Sequence, residues 1–403
     1  YFENTKLILF INPNVIQNSS LYYIIYAIKS TILNISLNDD LNVGDVSNEL
    51  FKINFKEITF DIDFNSQIHP DAMPKVKKIV FYENSLFNQP IKERSFPELE
   101  EITFGINFNS QIIPGAMPNV KKIVFNMYSK FDKPIEKGIF PELEEIIFGS
   151  NFNSQIVPGA MPNVTKIKFG HFFNKPIIED IFPNLKEITF GGSFNSQIVP
   201  GAMPNVTKIV FVMDSHFNQP IEKGIFPALE EIVFPPGFNS QINPGDMPNV
   251  KKITFSDYSQ FDKEIIAETF PELTEITFGP NFNKPINPGA MPNVKKISFG
   301  VSSQFNQPIE KDTFSLLEEI TFGENFNSKI EPDAMPKVKK ITFPNYSQFN
   351  KPIEEGTFPE LEEITFGEEF NSKINPRSMT NVKKIVFVKD SEFNKPIEKD
   401  TFE

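Results

Sequence analysis

The chain has 403 residues, and its 52 acidic against 39 basic side chains leave a formal charge of −13. That moderate acidity argues against an electrostatic nucleic-acid binder. The absence of cysteine excludes disulfides, a thiol nucleophile and thiolate metal sites, and no apolar run reaches the roughly 18 residues that a membrane span needs.

In chain order, the first predicted element is a strand over LILFI at 7–11, followed by a short amphipathic helix over 20–30. Ile32, Ile35, Leu37, Leu41 and Asn42 then repeat the spacing of Leu99, Ile102, Phe104, Phe108 and Asn109, so 32–50 reads as a degenerate coil. Residues 1–50 are therefore expected to form an N-terminal cap, which a solenoid requires. Nothing in them reads as the leucine-proline opening of an F-box.

From residue 51 onward a single phrase organises the chain. A phenylalanine followed by Asn or Asp, with isoleucine three places further on, recurs sixteen times from Phe64 to Phe393, mostly at spacings of 23 and 21. Periods near 22 residues predict a coil-by-coil solenoid. The true unit is double, with unlike halves, as in FPELEEITFGINFNSQIIPGA at 96–116 and MPNVKKIVFNMYSKFDKPIEKGI at 117–139. It restarts at Phe140, Phe182, Phe226, Phe270, Phe314, Phe358 and Phe402, and the step from 140 to 182 is 42 residues instead of 44. The two missing residues fall between Phe169 and Phe173.

Each half carries L/V-x-x-I-x-F, whose I-x-F tail has the period of two of a short strand. Proline and glycine punctuate every coil and veto long helices. The expected fold is thus a β-rich solenoid, a right-handed superhelical array with one short strand per ~22-residue coil stacked into a long parallel sheet. Few or no helices are expected outside the cap, and 51–403 forms sixteen coils in eight double units. Three columns hold 40 of the 45 phenylalanines, which predicts aromatic ladders in the core, with Met replacing Phe in alternate coils of the third column.

The residue before each strand isoleucine is Glu in every first half and Lys in every second half, as in Glu57, Lys78, Glu101, Lys122, Glu145 and Lys166. Paired carboxylates can serve acid–base chemistry, but this alternation predicts a structural ion-pair ladder that fixes register. The Asn of the phrase is expected to form an internal ladder, with weaker rungs where Asp132 and Asp262 replace it. His69, His171 and His216 share no metal-ligand spacing, and no catalytic or phosphate-binding motif occurs. Five-residue bridges join strand to phrase in the second halves, as in 82–86, 126–130, 212–216, 256–260 and 344–348. Serine is fixed at their fourth place and the rest varies. Their Tyr82, Tyr128, His216, Tyr258 and Tyr346 form the candidate partner-binding stripe.

FNQPI at 87–91, 217–221 and 305–309, preceded elsewhere by FGxxFN, resembles the FNIP repeat family over roughly residues 50–403. The resemblance implies a leucine-rich-repeat-like array of the kind found in social amoebae and in giant viruses of amoebae, often following an F-box. Glu264 departs from the family's proline, and most first halves carry Ser-Gln or Ser-Lys in its place. Residues and resemblance together predict a non-enzymatic scaffold for structural assembly or protein–protein interaction, with no cofactor or metal. The alternatives are the substrate-recognition arm of an F-box ubiquitin ligase and a giant-virus particle or surface-fibre component. Expected partners are proteins, or further copies through an uncapped C-terminal edge, with neither nucleic acid nor membrane insertion. The expected location is host cytoplasm or virion.

Overall fold

The computed structural model describes residues 7–10, 33–37 and 56–401, apart from 61, 66, 69, 71, 72 and 400. The chain divides into two compact units, Tyr1–Met203 and Pro204–Glu403. The first holds β1 (Leu7–Phe10), β2 (Leu33–Leu37), β3 (Glu57–Phe60) and six further strands ending in β9 (Glu187–Phe190). The second runs from β10 (Lys208–Phe211) to β18 (Lys384–Phe387). Each unit is a parallel β-solenoid with one strand of three to five residues per coil and no helix among the described residues.

In the first unit Glu57 lies opposite Lys78, Ile58 opposite Ile79 and Phe60 opposite Phe81, and this register repeats coil by coil. β1 pairs with β2, and β2 with β3, placing Leu37 opposite Phe60. The helix expected over 20–30, and the degenerate coil outside 33–37, lie beyond the described residues. The second unit keeps the same register, as in Glu231 opposite Lys252 and Phe234 opposite Phe255.

Strand residues alternate buried and part-exposed, because successive side chains point to opposite faces. The inward Ile and Phe build the core. Phe104 and Phe125 stack at 5.2 Å, Phe108 and Phe131 at 5.8 Å, and Phe125 meets Phe131 at 4.2 Å. Two adjacent columns of near-parallel rings result, because in-register parallel strands repeat the same side chain at the strand spacing. The second unit repeats them, with Phe234 and Phe255 at 5.1 Å. The third column is fully buried but alternates, as in Phe96, Met117, Phe140 and Met161. The isoleucine of the phrase supplies a second line of parallel bridges, as in Ile135 to Ile156 and Ile309 to Ile330.

Each corner among the described residues then turns through a left-handed residue, a conformation that costs an L side chain about 1–2 kcal/mol and glycine nothing. Gly115 and Gly159 take it in the first unit, but Arg94 and Asp180 are held there too, at φ 60°. Just beyond that corner the position is Ala in six first halves, Asp246 in another and Ser378 in the last. The Ser378 hydroxyl is fully buried without a hydrogen-bond partner. Ser378→Ala is therefore expected to raise unfolding stability by about 1 kcal/mol, read as a higher denaturant midpoint with unchanged slope.

Candidate interaction surface

The charged ladder is the most regular feature of the strand face. Lys78 reaches Glu101 at 3.5 Å, Lys122 reaches Glu145 at 2.9 Å and Lys166 reaches Glu187 at 3.1 Å. The second unit repeats it, with Lys208 to Glu231 at 2.9 Å and Lys252 to Glu275 at 3.2 Å. Glu57 and Lys78 stand opposite one another in adjacent strands. A second row runs beside it, as in Lys121 to Glu144 at 3.2 Å and Lys383 to Glu362 at 2.9 Å. These side chains are about half exposed, so each pair is worth only about 0–1 kcal/mol.

Hydrogen bonds from Lys77 and Lys384 pull the carboxyls of Glu100 and Glu363 below their ordinary range. A folded pKa below the unfolded one gives stability that is complete above the unfolded pKa and lost as pH falls through the folded value. The melting temperature is expected to fall as pH drops from about 5 to about 3, and to fall less in high salt.

The asparagine ladder differs from expectation in two respects. Its residues lie on the surface, exposed or half-exposed, with the buried Phe pointing inward beside them. It also runs on the side-chain oxygen alone. The Asn109 N–H donates to Asn88 Oδ1 at 2.8 Å and the Asp132 N–H to Asn109 Oδ1 at 3.0 Å. The Asn153 N–H then donates to Asp132 Oδ1 at 2.8 Å, and in the second unit Asn283 donates to Asp262 at 2.9 Å. An acceptor suffices, so the aspartate rungs are as short as their neighbours. Asn109→Asp is expected to cost under about 0.5 kcal/mol, and Asn109→Leu about 1 kcal/mol, by denaturant titration.

The bridges have a different local logic. The Ser85 N–H closes a turn onto the Tyr82 carbonyl at 2.9 Å, and the Phe87 N–H donates to Ser85 Oγ at 3.2 Å. The same pair of bonds recurs at Ser129, Ser259, Ser303 and Ser347. Serine thus faces inward, over a glycine of the next coil whose Cβ would crowd it, as at Gly105 and Gly149. The two middle residues of the turn project outward.

Large apolar side chains accordingly stand exposed there. Met127 and Tyr128 are 67% and 63% exposed, and Tyr82 and Phe172 are also exposed. In the second unit Tyr258 and Tyr346 are 69% and 68% exposed, with Met213 and Val301 beside the same turns. His216 is exposed at the fifth place of its bridge. Sequence reading passed over Met127, Met213, Val301 and Phe172; for the first three the signal was their position as middle residues of a serine-closed turn. Among the described residues no cluster of metal-ligating side chains occurs, and no helix is long and apolar enough to cross a membrane.

A family model described as FNIP Repeat matches residues 87–128, 131–172, 173–213, 261–302 and 305–346, together just over half of the chain. Among solved structures, the chain is similar to CroV588, a circular LRR protein of a giant virus, at a TM-score of 0.51 and 21% identity, covering 92% of this chain and 71% of that one. A leucine-rich repeat protein from Bacteroides ovatus matches at a TM-score of 0.24 and 16% identity, covering 81% of this chain and 82% of that one. The pneumococcal vaccine antigen PcpA matches at 0.21 and 14% identity, covering 86% and 81%. No curated protein matches the chain.

Proposed function

This chain belongs to the FNIP repeat family, and from that premise we propose that it is a non-enzymatic scaffold that binds a protein partner through its bridge stripe. One observation carries the reading. The strand face pairs most of its charges internally and the phrase residues are engaged coil to coil, whereas the bridge tips present exposed tyrosine, methionine and phenylalanine. Tyrosine supplies large contact area with little rotamer entropy to lose, which is why it is enriched where proteins bind one another. Within each unit, tips that recur every second coil suit an extended partner lying along that unit's array. In this reading Tyr82, Tyr128, His216, Tyr258 and Tyr346 make contacts with the partner. The ladder residues Glu57, Lys78, Glu101, Lys122, Glu145 and Lys166 serve the fold.

The test is a variant with all five stripe residues replaced by serine. It is expected to keep the melting temperature of the parent and lose the partners that co-purify with the parent from the native cell. Retention of those partners at parental levels would overturn the reading.

A further inference from the structure

We propose that the shortened coil of the first unit, where unpaired Lys168 and exposed Phe172 sit beside the Met127–Tyr128 turn, docks an acidic peptide segment with apolar anchors. The proposal rests on the bridge-stripe reading and adds the place and the chemistry of the partner.

The place follows from the lost residues. Between Phe169 and Phe173 the chain has three residues where other second halves have five. No serine-closed turn can form, and the backbone runs directly from Gly170 to Phe172, whose N–H donates to the Ser150 carbonyl at 2.9 Å. Ser150 in turn donates its N–H to the Met127 carbonyl at 2.7 Å. Met127, Ser150 and Phe172 therefore lie in three successive coils along one line, with only the small Ser150 between the two large side chains. Two coils separate Tyr128 from Phe172, about 10 Å at the strand spacing. Phe172 is half exposed although nothing in its own coil requires an aromatic there, and the His171 ring meets it edge-on at 4.8 Å.

The chemistry follows from charge. The outward strand position is Val124, Ile147, Lys168 and Thr189 in successive coils, so Lys168 puts a cation into an otherwise uncharged column. The ladder carboxylates of the two flanking strands are already occupied, Glu145 by Lys122 at 2.9 Å and Glu187 by Lys166 at 3.1 Å. Lys168 is exposed and forms no ion pair among the described residues. In the coil that carries Tyr128, Lys130 bonds a neutral partner, the Asn107 side-chain oxygen, at 2.9 Å. Exposed Met, Tyr and Phe in coils that also carry two cations without carboxylate partners complement a segment that alternates acidic and large apolar residues. Apolar anchors supply the affinity, and the charges set the rate and the choice of partner.

The test uses the full chain and a fluorescein-labelled peptide of alternating Asp/Glu and Leu/Phe, followed by anisotropy. A matched peptide with lysine at each acidic position is the comparison. The acidic peptide is expected to bind at least about tenfold more tightly than its lysine counterpart, and more weakly as salt rises. Phe172→Ser and Tyr128→Ser are each expected to weaken it about tenfold. Lys168→Thr, which copies the neighbouring coil, should weaken it about threefold and flatten the salt dependence. Leu316→Ser, an exposed apolar position of the second unit outside the stripe, should leave it unchanged. All four positions are exposed, and melting curves check that each variant folds. Equal binding of the two peptides, no binding of the acidic one, or indifference to Phe172→Ser would overturn the proposal. Partner loss in the five-fold serine variant would still stand in that event, because that variant leaves Phe172 and Lys168 in place.

Discussion

Phe131→Ala is expected to destabilise the first unit by about 3–5 kcal/mol. The ring is buried and faces Phe125 at 4.2 Å, Phe108 at 5.8 Å and Phe152 at 6.1 Å, so the substitution opens a gap in its own aromatic column and beside the other. The neighbours cannot close that gap. Their backbones are pinned by the parallel register on one side and by the Ile135 bridge and the Asp132 rung on the other. The lost stacking adds about 0.5–1.5 kcal/mol to the transfer term. Phe131→Leu keeps most of the volume and is expected to cost about 1.5 kcal/mol or less. Because each coil of a repeat array depends on its neighbours, hydrogen exchange should quicken first in the coils flanking residue 131. Unchanged protection there would contradict the account of the core.

Gly191→Ala is expected to cost about 3 kcal/mol or more, an unusually large effect for one methyl group. A Cβ at Gly191 would run into the Gly170 carbonyl, and one at Gly170 would run into the Gly149 carbonyl. Both obstacles are backbone, which cannot swing aside as a side chain would. Elsewhere a glycine at this position lies over the inward serine of the preceding bridge. In the shortened coil that bridge is missing, and three glycines in successive coils replace it with direct backbone contact. Gly237→Ala is the control, since a Cβ there meets nothing within 4 Å; it should be neutral. Equal melting temperatures for Gly191→Ala and Gly237→Ala would refute this explanation.

Much of the fold was legible because its causes are local and repeated. I-x-F specifies a strand with two inward side chains, and Glu against Lys at the preceding position specifies which strands neighbour one another. The fixed serine of the bridge announced a turn. What the sequence concealed depends on direction in space. Nothing in the letters of Asn109 or Asp132 tells that the side-chain oxygen alone is used, or that the ladder lies on the surface. The glycines at 149, 170 and 191 look like any other strand ends until the short coil stacks them. The exposure of Met127 and Phe172 has the same origin, because an apolar letter reads as core unless the turn that expels it is known. The tyrosine stripe was visible as variation inside an otherwise constant bridge. The unpaired Lys168 was visible only as a lysine in a column of Thr and Val.

The central claim is that the repeating positions serve the fold and the bridge tips serve recognition. A photo-crosslinking scan in the native cell tests it most directly, with one reactive residue at a time in place of Tyr128, Tyr258, Thr103, Thr277, Asn109 or Asn283. The account predicts partner adducts from Tyr128 and Tyr258, and none above background from the strand-face threonines or the ladder asparagines. Adducts concentrated at Thr103 and Thr277, with the bridge tips silent, would contradict it.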